Sequence, residues 1–332
     1  MARLVLARGG SGGRKRRTIS AVSRRIGVIG VPTSAGAFAP GQENAPRALR
    51  EAGLVERLHN RGLEVRDHGD RERWRWRPDR TNPRAQNLDK VVEIVGDTAR
   101  RVAEAAGSGE LILVLGGDCT VGVGTVAGHS ADRQRPGVIY FDAHADLNLP
   151  ASVRPGTLDW MGLAHMLGEE GARAELVQAG PRVPLLEPDQ VVLLGWDEVQ
   201  SEAHERAAIK RLRLSVIPAG EVATDPAAAA ARALALLDRP DRRLLVHFDV
   251  DVIDFTDTPL SENWGRNEGI PYDAAAGALR TLLASPRLAG VTITELNPDH
   301  VEAESGSVER LVRDVAEGLR PRTGVSDVPS SR

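Results

Sequence analysis

The sequence predicts an α/β fold built on a parallel sheet with helices on both faces. Three observations carry that expectation. Eight short apolar runs recur along the chain, most of them β-branched and bounded by Gly, Pro or Asp. The runs are continuous rather than alternating, as strands buried on both faces are. Segments of helical period lie between them, and strands alternating with helices make βαβ units.

Taken in order, the strand-like runs are Ile26–Val31, Leu63–Asp67, Leu111–Leu115, Gly137–Phe141, Gln190–Leu194, Leu214–Ile217, Leu244–Phe248 and Val291–Thr294. The first helical segment is Ala45–Asn60, with Pro46 in its first turn, where a missing N–H does no harm. Asp89–Ala106, Glu198–Arg211 and Pro226–Leu237 follow. The last helix has the clearest stripe: Val308, Leu311, Val312, Val315 and Leu319 recur at three- and four-residue steps. No internal repeat or linker follows Arg25, so a single domain over 26–322 is expected, with 323–332 as a disordered C-terminus.

Hydrophobic residues make up 41% of the 332, enough for a large core, but aromatics only 3%, so Leu, Val, Ile and Ala must fill it. A net charge of -3 gives no general attraction to nucleic acid or to a membrane surface. The lone cysteine, Cys119, cannot close an internal disulfide, which fits a reducing cytoplasm. No apolar run is long enough to span a bilayer.

Residues 1–25 stand apart, with eight Arg or Lys and no acid. A disordered tail or misplaced start, a transit peptide and a nucleic-acid arm are all compatible with that composition. Arg71–Arg80 (RERWRWRPDR) reads as a surface loop near the mouth of a site, with Arg packed on Trp74 and Trp76, or as a platform for nucleic-acid stacking.

Two acidic clusters each follow a strand. One is Asp142-Ala-His144-Ala-Asp146; the other is His247-Phe-Asp249-Val-Asp251. Residues two apart in extended chain point the same way, so Asp142, His144 and Asp146 can converge, and so can Asp249 and Asp251. Open α/β sheets place their sites at the carboxyl ends of strands. Four carboxylates in one crevice repel unless protonated or shared with a cation. Asp142, Asp146, Asp249 and Asp251 with His144 form a hard, oxygen-rich set that suits Mn²⁺. The plainer alternative is that these Asp residues cap helices and turns. Gly116-Gly117-Asp118-Cys119 also follows a strand, and Glu295-Leu-Asn297-Pro298 ends the last one, where a buried Glu can pair with a cationic substrate.

Together these four ordered motifs resemble the ureohydrolase family, which includes arginase, agmatinase, guanidinobutyrase and formiminoglutamase. The resemblance runs from about Ile26 to Leu319, with Asp67-His-Gly-Asp70, Asn148, Pro150 and Gly156-Thr-Leu158 as further matches. It implies a three-layer αβα fold with an eight-stranded, mostly parallel sheet, a two-manganese site, and a homo-oligomer. By position, Asp142 and Asp249 would bridge both metals and His144 and Asp251 would complete one. Asp146 would bind the other and take the proton of the attacking water. Glu295 would hold a guanidinium, with Asn148 also facing substrate.

Three departures matter. Cys119 stands where the family has a histidine ligand, and a thiolate is softer and must first lose its proton. That leaves Cys119 ligating, its metal held weakly, or its site empty. Asp159 stands where the family has a proton-shuttling histidine. It can shuttle if its pKa is raised, pair with a cationic or N-hydroxylated guanidine, or cap a helix over Trp160–Leu167. Val153 and Pro155 replace the hydroxyl side chains that receive an α-carboxylate in arginase, and Asp257–Gly269 lacks the family's glycine-rich pattern.

The leading expectation is a Mn²⁺-dependent amidinohydrolase acting on a small guanidino, N-hydroxyguanidino or related amidine compound, with no nucleic-acid or membrane partner. One alternative is a formimino- or deacetylase-like amidohydrolase; in the deacetylase form Asp142, His144 and Asp249 would hold a single metal. Another is a non-catalytic binding or assembly protein of the same fold.

Overall fold

The computed structural model describes residues 24–130, 135–263, 269–302 and 305–319. Eight strands form one sheet: β1 (Arg25–Gly30), β2 (Glu64–Asp70), β3 (Leu111–Leu115), β4 (Arg135–Phe141), β5 (Val191–Trp196), β6 (Ser215–Pro218), β7 (Arg242–Asp249) and β8 (Leu288–Thr294). The order is β2-β1-β3-β8-β7-β4-β5-β6 and every adjacent pair is parallel.

Eleven α-helices connect the described strands: α1 (Ala45–Glu51), α2 (Leu54–Asn60), α3 (Leu88–Gly107), α4 (Thr120–His129), α5 (Gly162–Met166), α6 (Ala174–Val177), α7 (Ala203–Leu212), α8 (Ala219–Thr224), α9 (Pro226–Leu236), α10 (Tyr272–Leu283) and α11 (Ser307–Leu319). They form two layers, one on each face. Strand β3 shows why its sequence is apolar throughout. Leu111, Leu113 and Leu115 join the core beneath α1, α2 and α8 to α11, while Ile112 and Val114 join the core beneath α3 to α7. Successive side chains point to opposite faces, and here both faces are covered. The α11 stripe of Val308, Leu311, Val312, Val315 and Leu319 lies wholly in the first core.

The structure departs from the sequence expectation at several ends. The first helix is two: the chain breaks at Gly53, whose φ of 82° is open to glycine at little cost. The segment expected from Glu198 becomes helical only at Ala203, behind a reciprocal cap between Glu202 and Glu205. Arg25 opens β1, and Arg24 donates to the carbonyls of Ser285 and Leu288. The rest of the expected basic tail, and the C-terminus from 320, lie outside the described residues.

Helix α4 carries a test of the core. His129, its last residue, is 2% exposed, and neither ring nitrogen has a hydrogen-bond partner among the described residues. Burial pushes its pKa from 6.5 down to about 4. A helix C-terminus favours a cation by at most ~2 kcal/mol, so desolvation wins. The unfolded imidazole takes its proton near 6.5 and the folded one only near 4. Its stabilisation is therefore complete above 6.5 and is lost as pH falls through that window. Between pH 7 and 4, urea unfolding of the wild type should lose about 3 kcal/mol more than that of His129→Leu. Equal losses would show that this proton costs nothing.

Candidate metal centre

The sheet order brings four strand ends side by side: β3, β8, β7 and β4. Cys119 follows β3, Glu295 follows β8, Asp249 ends β7 and Asp142 follows β4. Residues far apart in sequence thus meet at one carboxyl edge, beside the place where β3 and β4, consecutive in the chain, are parted by two other strands.

Each acidic turn uses one carboxylate oxygen for the backbone and turns the other inward. Asp142 Oδ1 accepts from the His144 amide at 2.6 Å, and Asp142 Oδ2 is buried without a partner among the described residues. Asp249 Oδ1 accepts from the Asp251 amide at 2.8 Å, and Asp249 Oδ2 accepts from the Cys119 thiol at 2.8 Å. His144 Nδ1 lies 3.1 Å from Asp251 Oδ2 and 3.4 Å from Asp142 Oδ1. Asn263 reaches Asp251 Oδ2 from the far side at 3.4 Å, and Asp251 Oδ1 is a further buried oxygen without a partner among the described residues.

The glycines before Cys119 let the backbone into the crevice. A Cβ on Gly117 would stand 1.7 Å from the Thr33 carbonyl oxygen. Without it, the Asp118 amide donates to that oxygen and the Gly117 carbonyl accepts from Glu295. Asp118 itself serves the fold: its carboxylate accepts from the amides of Gly36 and Thr120.

The predicted residues fall into overlapping groups whose ligand atoms lie within 4.8 Å of one another. One is Asp142, His144 and Asp251; a second is Cys119, Asp142, His247 and Asp249; a third is Cys119, Asp159 and Glu295. Asp146 belongs to none of them. It lines the same cavity at φ 47°, and its Oδ2 accepts from the Tyr140 hydroxyl at 2.5 Å. Asn148 lines the cavity as well. Asp159 does not cap the helical segment that follows it; its carboxylate accepts from the Cys119 amide at 2.5 Å. Glu295, at φ 62°, keeps Oε1 buried and without a partner among the described residues, while Oε2 accepts from Gln42 at 3.2 Å. Non-glycine residues at positive φ cost energy and cluster at functional sites.

Two contributors, His247 and Gln42, were not among the predicted site residues. His247 stacks on Tyr140, with ring centroids 4.2 Å apart, and its Nε2 lies 3.3 Å from Cys119 Sγ. Its position within an apolar strand run disguised it as core. Gln42 sits behind Glu295 on a short 3-10 turn (Gln42–Asn44) held by the 71–80 segment, where Arg75 pairs with the buried Glu43 and Arg73 donates to Asn44. Trp264 and Arg266 of the divergent 257–269 segment lie outside the described residues.

The cavity holds about 650 Å³. Its mouth carries Phe38 and Trp160, stacked with centroids 6.2 Å apart, together with Val153, Arg154 and Pro155. Its floor is strongly acidic. Burial, reinforced by Asp251, pushes Asp142 up to about 7. Burial and neighbouring carboxylates likewise hold Asp146, Asp159, Asp249 and Glu295 well above the usual carboxylate range. Burial also pushes the Cys119 thiol up, and Asp249 adds to it. Two sites run against burial: it opposes charge on both Asp251 and His144, yet their contact lowers Asp251 and raises His144. So many buried acids with inward, unpartnered oxygens fit bound cations, and the donor set of Asp oxygens with His144 fits a hard divalent ion.

A family model described as "Arginase family" matches residues 24–316. The chain is similar to Arginase-1 of Homo sapiens, 29% identical over 287 residues that cover 84% of this chain and 87% of that protein. It is 30% identical to arginase of Brevibacillus brevis over 278 residues, 83% of this chain and 92% of that protein. The solved structure of arginase from Bacillus caldovelox matches with a TM-score of 0.78 at 27% identity, covering 91% of this chain and 100% of that one.

Proposed function

The chain belongs to the arginase family, and from that premise we propose that it is a metal-dependent amidinohydrolase that cleaves a C–N bond of a small guanidino compound. The observation that carries this reading is the sharing of Asp142 between two ligand groups whose members Cys119, His144, Asp249 and Asp251 line one cavity together with Asp159 and Glu295. Two divalent cations at those groups, when bound, supply a water of lowered pKa and withdraw charge from the reacting carbon.

The chain's own residues do the rest. Asp142, His144, Asp249 and Asp251 form the hard donor set that favours Mn²⁺. Glu295 and Asp159 face each other as buried acids, and a guanidinium between them replaces their repulsion with charge-assisted hydrogen bonds. Held this way, the planar cation keeps one face toward the acidic floor. Asp146, steadied by the Tyr140 hydroxyl, takes the proton of the attacking water. Asp159, beside the guanidinium, relays the proton taken up at Asp146 to the departing nitrogen. The C–N bond to the substituent breaks as the C–O bond forms, leaving a urea-type product and an amine.

The mouth bears on the substrate. Val153 and Pro155 offer no side-chain donor, and the Ser152 hydroxyl bonds back to Leu149. A substrate whose acidic group, if it has one, is placed for Arg154 or Asn148 rather than for hydroxyls at 153 and 155, or one bearing an N-hydroxyl that Asp159 can receive, suits this rim better than plain L-arginine.

The test measures Mn, Zn, Fe and Ni per purified chain and urea or amine release across a panel of guanidino compounds. Two metals with turnover are expected. No metal and no turnover, even with added Mn²⁺, would overturn the reading and leave a binding protein on the same fold.

A further inference from the structure

One buried group of donors is not accounted for by the hard site. His247 stands on β7 two residues before Asp249 and points to the same face, so its ring comes up beside the acidic turn. Its Nε2 lies 3.3 Å from Cys119 Sγ and 3.3 Å from the Thr294 hydroxyl. Cys119 Sγ in turn lies 2.8 Å from Asp249 Oδ2. The Asp142 carboxylate completes a group of four ligand atoms within 4.8 Å of one another, all on buried residues, and Asp142 Oδ2 has no partner among the described residues.

We propose that the Cys119 side of the pocket is a Cys-His-Asp-Asp metal site. Cys119 Sγ and His247 Nε2 ligate one ion together with Asp142 and Asp249, and the ion is of the Zn²⁺ type rather than Mn²⁺. The assignment deepens the hydrolase reading and rests on it for the second metal.

The geometry is close to what such an ion needs. With Zn–S of about 2.3 Å and Zn–N of about 2.0–2.1 Å, a tetrahedral centre sets sulfur and nitrogen about 3.5 Å apart. The Sγ to Nε2 distance of 3.3 Å requires little adjustment. The donor types agree with it: thiolate and imidazole select zinc-like ions, whereas Mn²⁺ prefers carboxylate oxygen. The ring is held in place from both sides. Tyr140 stacks on it with planes 10° apart. A Cβ on Gly122 would stand 2.6 Å from His247 Nδ1, so only glycine there leaves room for the imidazole.

The arrangement also explains how the chain tolerates Cys119 where the family has a histidine. The imidazole nitrogen that this ligand position lacks is supplied from β7, across the intervening β8. For the same reason Cys119→His alone meets a space that His247 already fills, and an imidazole at 119 needs a smaller residue at 247. The two ends of the pocket then differ in kind, one hard with His144 and Asp251, one softer with Cys119 and His247, and they share Asp142.

The test titrates the full-length, metal-stripped chain with Co²⁺, which reports thiolate ligation by a near-ultraviolet charge-transfer band. One Co²⁺ per chain should develop that band, and Cys119→Ser should abolish it. In His247→Gln the visible absorption of the same ion should shift and its affinity fall at least tenfold, while the ion at His144 and Asp251 binds as before. Should the variant not fold, zinc-edge X-ray absorption on the wild type decides, with one sulfur at about 2.3 Å expected in the zinc shell. Stoichiometric Co²⁺ uptake without the band, a zinc shell without sulfur, or a folded His247→Gln indistinguishable from wild type would overturn the assignment. Turnover of the guanidino panel is read separately. A band without turnover removes the hydrolase reading and keeps the site; turnover with two Mn²⁺ and no sulfur ligation does the reverse.

Discussion

Asp142→Asn should strip both cations from the pocket and lower turnover at least a thousandfold. Asp142 is the residue that the His144–Asp251 group and the Cys119–His247–Asp249 group have in common. Its two oxygens do separate jobs. Oδ1 holds the His144 amide at 2.6 Å, and an asparagine carbonyl can keep that bond. Oδ2 faces the floor without a partner among the described residues, and there Asn brings either a neutral oxygen or a donor N–H. The local turn survives while the charge between two cations disappears. A thousandfold is about 4 kcal/mol at the barrier, within what losing a metal-activated water removes. The wild type carries several buried acids in mutual repulsion, burial being the main cause of their raised pKa values and neighbouring carboxylates the next. Without metal, the variant should therefore be at least as stable as wild type, and added Mn²⁺ should raise the melting temperature of wild type alone. Two cations per chain and unchanged turnover in Asp142→Asn would remove the shared-ligand argument.

Glu295→Gln is the complementary case. Metal content should stay at the wild-type value, because Glu295 shares a ligand group only with Cys119 and Asp159. Activity should not. Glu295 Oε1 is buried, and Gln42 already satisfies the other oxygen at 3.2 Å. A guanidinium arriving there meets a desolvated carboxyl whose negative charge the cation itself sustains. Truncating one partner of such a pair costs roughly 2–5 kcal/mol. The expected loss in kcat/KM is about 10²–10³, with most of it retained by a cationic guanidine and little by a neutral urea analogue bound as an inhibitor. Equal weakening of both ligands would assign Glu295 to shape rather than charge.

Much of this was legible in the sequence because strand-end carboxylates announce themselves. Asp142, His144, Asp249 and Asp251 each follow an apolar run at two-residue spacing, and the sheet delivers them to one edge. Other parts were hidden for physical reasons. Helix α4 (TVGVGTVAGH) is buried on every side, so it shows no apolar stripe to mark it as a helix. Helix α10 begins with an alanine-rich stretch that places no large apolar side chain between Tyr272 and Leu279. The break between α1 and α2 depends on one glycine adopting a positive φ. His247 reads as strand filler until its ring is seen against Cys119 and Tyr140. Asp146 was expected among the ligands, but its link to Tyr140 depends on the turn at φ 47°, which no local pattern declares.

The order of the strands carries a consequence for how the chain matures. β8 is the last strand made, yet it lies between β3 and β7. Until it enters, the sheet exists as two pieces, β2-β1-β3 and β7-β4-β5-β6, each with a raw inner edge. Cys119 rides on the first piece; Asp142, His144, His247 and Asp249 ride on the second. A ribosome-bound chain ending before residue 288 therefore has Cys119, Asp142, His144, His247 and Asp249, but neither Glu295 nor the strand that joins the two pieces. Were the thiol end to take an ion, its capture would report that this keystone has gone in.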